Sequence, residues 1–125
     1  MPRDAIFPTG APGPTGAYSP VVRAGPLLFV SGQGPTDSDQ RVRGSTLAEQ
    51  IEEAMRNVQR QLEGCGASLA DVVSVTVFLA NIHDFDEFDR AYAAFFPERD
   101  RPARTTVGVQ LEGILVEIQA IAYIG

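Results

Sequence analysis

A chain of 125 residues, 44% hydrophobic and 21% charged, has the length and make-up of one packed domain, so residues 1–125 are read as a single domain without disorder. Its ten basic residues are all arginine, and the lack of lysine excludes Schiff-base chemistry and a lysine-dependent phosphate loop. A formal charge of −6, a single cysteine (Cys65) and a single histidine (His83) argue against a nucleic-acid partner, an intrachain disulfide and a cysteine-rich metal site.

The first sixteen residues, rich in proline and glycine, read as an irregular lead-in with neither helical nor strand period. Two short strands follow, Ala17 to Arg23 and Leu27 to Ser31, separated by the turn Ala24-Gly25-Pro26. Gln33 to Gly44 is polar and loop-like, with room for one short strand around Arg41 to Arg43. Thr46 to Glu63 is the clearest helix. Leu47, Ile51, Met55, Val58 and Leu62 form one apolar stripe, Thr46 and Glu49 are spaced as a capping box, and Gly64 and Gly66 are stop signals. Val72 to Leu79 is a strand, with Val73, Val75, Val77 and Leu79 on one side and Val72, Ser74, Thr76 and Phe78 on the other. Asp84 to Phe96 is a second helix that buries Phe85, Phe88, Tyr92 and Phe95/Phe96 and ends at Pro97. Arg104 to Leu111 and Ile114 to Ile124 are the last strands, joined by a turn at Glu112-Gly113. The class is α+β, with two helices available to cover one face of one sheet. No segment approaches the roughly 18–20 apolar residues of a membrane span and no apolar leader is evident, so a cytoplasmic protein without a membrane partner is expected.

The last two strands read as an antiparallel hairpin. Ile114, Val116, Ile118, Ala120, Ala122 and Ile124 make an unbroken apolar face for the helices, and Glu117 belongs to the opposite face. Pairing the apolar faces of both strands sets Thr106 or Gly108 opposite Glu117, and the register with Thr106 opposite makes Arg104 its diagonal neighbour, roughly 7–8 Å away at the backbone. As an exposed cross-strand pair these charges would contribute under about 1 kcal/mol and have no other role. The remainder of that face, Ser74, Thr76, Phe78, Leu115, Ile121 and Tyr123, is too apolar for a solvated surface, which suggests cover by another subunit and a site at the boundary. An arginine fork suits a carboxylate, and a glutamate holds water or passes protons, a combination suited to hydrolysis next to a carboxylate.

Other chemistry-bearing residues read as structural. His83 precedes a helix and has no G-x-S-x-G serine to partner it. Cys65 lies in a Gly-Cys-Gly helix stop, the glycines do not form a dinucleotide fingerprint, and Asp84, Asp86, Glu87 and Asp89 look like a solvent-facing helix surface.

Several segments, in this order, resemble the RidA (YjgF) family of reactive-intermediate deaminases. They are Gly16-Ala17-Tyr18-Ser19, Phe29-Val30-Ser31-Gly32-Gln33 with Pro35, Glu49-Gln50, Asp71-Val72-Val73 with Val75-Thr76-Val77-Phe78-Leu79, Asp84-Phe85, Tyr92 with Phe95-Phe96, Pro102-Ala103-Arg104-Thr105, and Val116-Glu117-Ile118 with Ala120-Ile121-Ala122. The resemblance implies a chorismate-mutase-like fold, one mixed sheet with two helices on one face, assembled as a homotrimer with sites between subunits. It implies hydrolysis of 2-imino or enamino acids, such as 2-iminopropanoate or 2-iminobutanoate, to 2-oxo acids and ammonia, without metal or organic cofactor. By position, Arg104 matches the arginine that binds the substrate carboxylate and Glu117 the glutamate that orients water. Tyr18, Ser31 and Gly32 match residues lining the cleft, and Thr106 matches a residue that contacts the ligand through its main chain. Asp89 stands where many imine deaminases have asparagine, and the turn at Leu111 to Gly113 is shorter than theirs. Alternatives kept open are a small-carboxylate binding or sensing module without turnover, and a holdase or endoribonuclease role.

Overall fold

The structure is a computed structural model and describes residues 2–125. Six strands, β1 (Asp4–Ile6), β2 (Val21–Ala24), β3 (Leu27–Gln33), β4 (Val72–Leu79), β5 (Ala103–Gly108) and β6 (Val116–Tyr123), form one mixed sheet in the order β1-β2-β3-β6-β4-β5. Helices α1 (Leu47–Glu63) and α2 (Phe85–Ala93) pack against each other and cover one face. Among the described residues, no helix is long and apolar enough to cross a membrane.

The stripe on α1 is the main wall of the core. Ile51, Met55, Val58 and Leu62 are all essentially buried, together with Val75, Val77, Ile118, Ala120 and Leu28 from the sheet. Each of these side chains larger than alanine stabilises the fold by roughly 1.5–3 kcal/mol. The capping box forms as expected. The Thr46 hydroxyl accepts from the Glu49 amide at 3.2 Å, and the Glu49 carboxylate accepts from the amides of Ser45 and Thr46 at 3.0 and 3.1 Å. Those amides hold the Glu49 carboxyl below its ordinary range.

The expected terminal hairpin does not form. β6 lies between β3 and β4, antiparallel to both, and β5 sits at the sheet edge, parallel to β4. Two physical reasons favour this order. Val116, Ile118, Ala120 and Ala122 are the most continuous apolar face in the chain and suit a central position, whereas the polar run Arg104-Thr105-Thr106 suits an edge. A helix between two strands also makes the crossover that parallel neighbours need, and α2 supplies it between β4 and β5. The faces of β5 are consequently the reverse of those expected. Arg104, Thr106 and Gly108 pair with Val75, Val77 and Leu79 on the helix-covered face, while Thr105 and Val107 pair with Thr76 and Phe78 on the open one.

Three smaller corrections follow from local geometry. Asp4–Ile6 in the lead-in is a strand, paired with Val21–Arg23. The second strand starts at Val21 rather than Ala17, because residues 15–18 turn. A bulge between Val72 and Ser74 puts Val72 inside and leaves Val73 47% exposed, reversing their expected sides. Phe85 also differs, being 38% exposed at the start of α2 rather than buried.

Thr46→Ala should lower the unfolding free energy by about 1 kcal/mol through loss of the cap. Urea denaturation measures this, and an unchanged midpoint would contradict the role of the cap.

Candidate functional site

The open face of the sheet carries a groove built on a second bulge. Val30 pairs with Ala120, and Gln33 pairs with Ile118, so Ser31 and Gly32 together face the single residue Gln119. Val30 and Gln33 both turn inward, which commits the two residues between them to the open side. The Ser31 hydroxyl donates to the Ser19 carbonyl at 2.7 Å, and the Ser31 amide donates to the Pro20 carbonyl at 3.0 Å. These bonds tie the bulge to the turn that presents Tyr18. The Tyr18 hydroxyl lies 3.1 Å from both the amide and the hydroxyl of Thr15.

Glu117 is the acidic group of this groove. Its carboxylate packs over Gly32, and a β-carbon there would approach its Cδ to 2.9 Å. Only glycine admits the carboxylate this close to the backbone. Tyr18, Ser31, Gly32, Glu117, Thr15 and Gln119 line the floor, and an adjoining cavity of about 300 Å³ runs on past Gln33, Gly34, Thr36, Glu112 and Ile114. Among the described residues no arginine of the same chain pairs with Glu117.

Buried polar side chains fix the groove wall from behind. Gln61, fully buried on α1, donates to the Pro12 carbonyl at 2.9 Å and to Gln33 Oε1 at 3.2 Å, and Gln33 donates onward to the Ser31 carbonyl at 3.0 Å. Asn57 donates to the carbonyls of Gly34 and Thr36 at 2.9 and 2.7 Å. Gln50 accepts from the Leu115 amide at 2.8 Å and donates to the Gly44 carbonyl at 3.1 Å. A glutamine or asparagine on the inner face of an amphipathic helix is the signal that points to such supports in a sequence, because a buried amide requires partners.

Arg104 lies elsewhere. It is on the helix-covered face at the edge strand, two strands from Glu117 and three residues along, roughly 14 Å away at the backbone from strand spacing and rise. Its guanidinium carbon is 4.8, 5.3 and 5.4 Å from the ring centres of Tyr92, Phe88 and Phe85. Its Nη1 donates to Asp89 Oδ1 at 2.8 Å. Asp89 was expected on a merely solvent-facing surface; it is exposed but also partners Arg104. Thr106 follows Arg104 on the same face, with its hydroxyl buried and unpartnered.

The fold thus brings Tyr18, Ser31, Gly32 and Glu117 together and keeps Arg104 and Thr106 apart from them. The expected diagonal contact between Arg104 and Glu117 is absent because they occupy opposite faces. Gly108 shares the face of Arg104, and a β-carbon there would approach Ile82 Cβ to 2.8 Å. His83 is exposed in the short turn Ile82–Asp84 and does not line the groove. Among the described residues, no three His, Cys, Asp or Glu side chains gather as metal ligands would. Chemically, the groove offers a carboxylate, hydroxyls and main-chain groups around a space open to water.

A family model described as "Endoribonuclease L-PSP" matches residues 8–124. A RutC family protein of Pyrococcus horikoshii is 39% identical over 97% of this chain and 98% of its own length. The 3-aminoacrylate deaminase RutC of Acinetobacter baylyi is 33% identical over 99% of this chain and 100% of its own. The crystal structure of RidA from an Antarctic Psychrobacter species superposes with a TM-score of 0.89 at 33% identity, covering 97% of this chain and 99% of that one.

Behind Arg104, burial pushes the Tyr92 phenol up to about 12, and its hydroxyl has no partner. A raised value favours the neutral phenol in the folded state. Its contribution is therefore fully present below the ordinary value of 10 and is lost as the pH rises from 10 towards 12. Tyr92→Phe should change stability at neutral pH by no more than about 1 kcal/mol, since it removes an unpaired buried hydroxyl. It should also lessen the alkaline loss between pH 10 and 12. Urea midpoints across that range measure both, and an equally steep alkaline loss in the variant would contradict this role.

Proposed function

The chain belongs to the YjgF/RidA/RutC family, and on that footing we propose that it is a cofactor-independent deaminase that hydrolyses 2-imino or enamino acids to 2-oxo acids and ammonia. The family includes deaminases such as RutC. The observation that carries the reading is the Glu117 carboxylate held against Gly32 in a groove open to water.

In this mechanism water attacks the imine carbon while Glu117 accepts its proton, giving a carbinolamine. That proton passes to the nitrogen, the C–N bond breaks with release of ammonia, and Glu117 takes the remaining hydroxyl proton as the C–O bond becomes the carbonyl. Ser31 and the Gly32 main chain position the substrate, and Tyr18 closes one side. Arg104 binds the substrate carboxylate through its fork. Because Arg104 and Glu117 of one chain are on opposite faces, the arginine that serves a given Glu117 comes from a second copy.

Assembly as a homotrimer supplies that copy. Its support is the open sheet face, where Phe29, Val73 and Tyr123 are 38%, 47% and 52% exposed and which Phe78, Val107 and Ile121 share. Covering such a surface with like copies removes it from water and sets edge arginines against neighbouring grooves. An endoribonuclease role fits less well, because the only imidazole, His83, is outside the groove and the chain carries a charge of −6.

With an amino-acid oxidase or dehydratase releasing imine, the protein should accelerate imine decay. Arg104→Ala and Glu117→Gln should each lower kcat/KM by about 100-fold or more. No acceleration by the folded wild-type protein would contradict the activity, and full activity in either variant would contradict the roles of these residues. Light scattering should give three times the chain mass of 13.4 kDa, and a stable monomer would contradict the assembly.

A further inference from the structure

Arg104 is already paired. Its side chain is 19% exposed, three aromatic rings stand within 5.4 Å of its guanidinium carbon, and its ion-pair partner is Asp89, whose side chain is 53% exposed. Rings stabilise the cation but carry no net charge. Asp89 therefore supplies the counter-charge, and the cluster of Arg104 and Asp89 is neutral overall rather than positive. One Nη1 hydrogen bond goes to Asp89, which leaves the guanidinium's other donors available to a ligand. A carboxylate bound to those donors sits about 5 Å from the Asp89 carboxylate, where two like charges repel. A positive nitrogen next to the bound carboxylate offsets that repulsion.

We propose that Asp89 is a specificity-determining residue of the arginine clamp, selecting carboxylates that carry an adjacent positive nitrogen over plain carboxylates. This rests on the reading that Arg104 binds the substrate carboxylate. A protonated 2-imino acid has the favoured charge pattern and its 2-oxo acid product lacks it. The same residue therefore holds substrate more tightly than product and speeds product departure.

The test is calorimetric binding of two ligands of nearly equal shape, 2-aminobutanoate and 2-oxobutanoate, to the wild-type protein and to Asp89→Asn. The asparagine keeps the size of the side chain and removes its charge. Wild-type protein should bind 2-aminobutanoate more tightly than 2-oxobutanoate by about tenfold, the effect of one partly screened charge at that distance. In Asp89→Asn the ratio should fall towards one, chiefly because 2-oxobutanoate binds more tightly. Asp89→Ser should show the same change, and Arg104→Ala should bind neither ligand. If both ligands bind and their ratio is the same in wild type and both Asp89 variants, the selector role is overturned while the carboxylate clamp stands. If neither ligand binds wild type or Asp89→Asn, the clamp and the selector role fall together.

Discussion

Side-chain alternation across three adjacent strands governs the rest of the molecule. Once β6 lies between β3 and β4 with Val116, Ile118 and Ala120 under the helices, Glu117 must face the open side. Once β5 runs parallel to β4 with Arg104 beside Val75, the guanidinium must lie on the helix side. No rotamer change moves either group through the sheet, and a one-residue slip would expose the whole apolar face of β6. Core burial thus fixes the separation of the two charged groups, and with it the need for a second chain if both are to act on one molecule.

The two bulges adjust this plan locally. One turns Ser31 and Gly32 together onto the open face, making a concave floor where a regular strand would send one of them inward. The floor is then held from behind by Asn57 and Gln61, whose buried amide nitrogens donate to the groove wall. Donors so placed favour this arrangement of the loop, because another would leave the Asn57 and Gln61 amide nitrogens unpaired in the core. On the opposite face, Arg104 rests on the aromatic side of α2, so the crossover helix also shapes the environment of its guanidinium.

Much of this was legible in the sequence, for identifiable reasons. The period of Leu47, Ile51, Met55, Val58 and Leu62 and the spacing of Thr46 and Glu49 marked α1 and its start, and the structure has both. The apolar face of β6 and its place under the helices were equally readable. Strand order was not, because local pattern carries no information on which strands become neighbours. The short Leu111–Gly113 turn suggested a hairpin, yet the helix between β4 and β5 was an equally valid sign of a parallel crossover. Bulges escape period counting by nature, which is why alternation alone puts Val73 on the wrong side. Of the candidate site residues, Tyr18, Ser31, Gly32 and Glu117 meet in one groove, while a terminal hairpin would put Arg104 and Thr106 on the face opposite to the one they occupy. The link between Arg104 and Asp89 joins residues on α2 and β5 that only the fold makes neighbours.

The central claim is that a complete site takes Arg104 from one chain and Glu117 from another. Subunit complementation tests it most directly. Arg104→Ala and Glu117→Gln chains are unfolded and refolded together in equal amounts, and imine hydrolysis is compared with each variant alone. Random assembly of a cyclic trimer restores an intact pair at about a quarter of the sites, so about a quarter of wild-type activity is expected. Activity no greater than that of the separate variants, in trimers shown to contain both chains, would contradict the account.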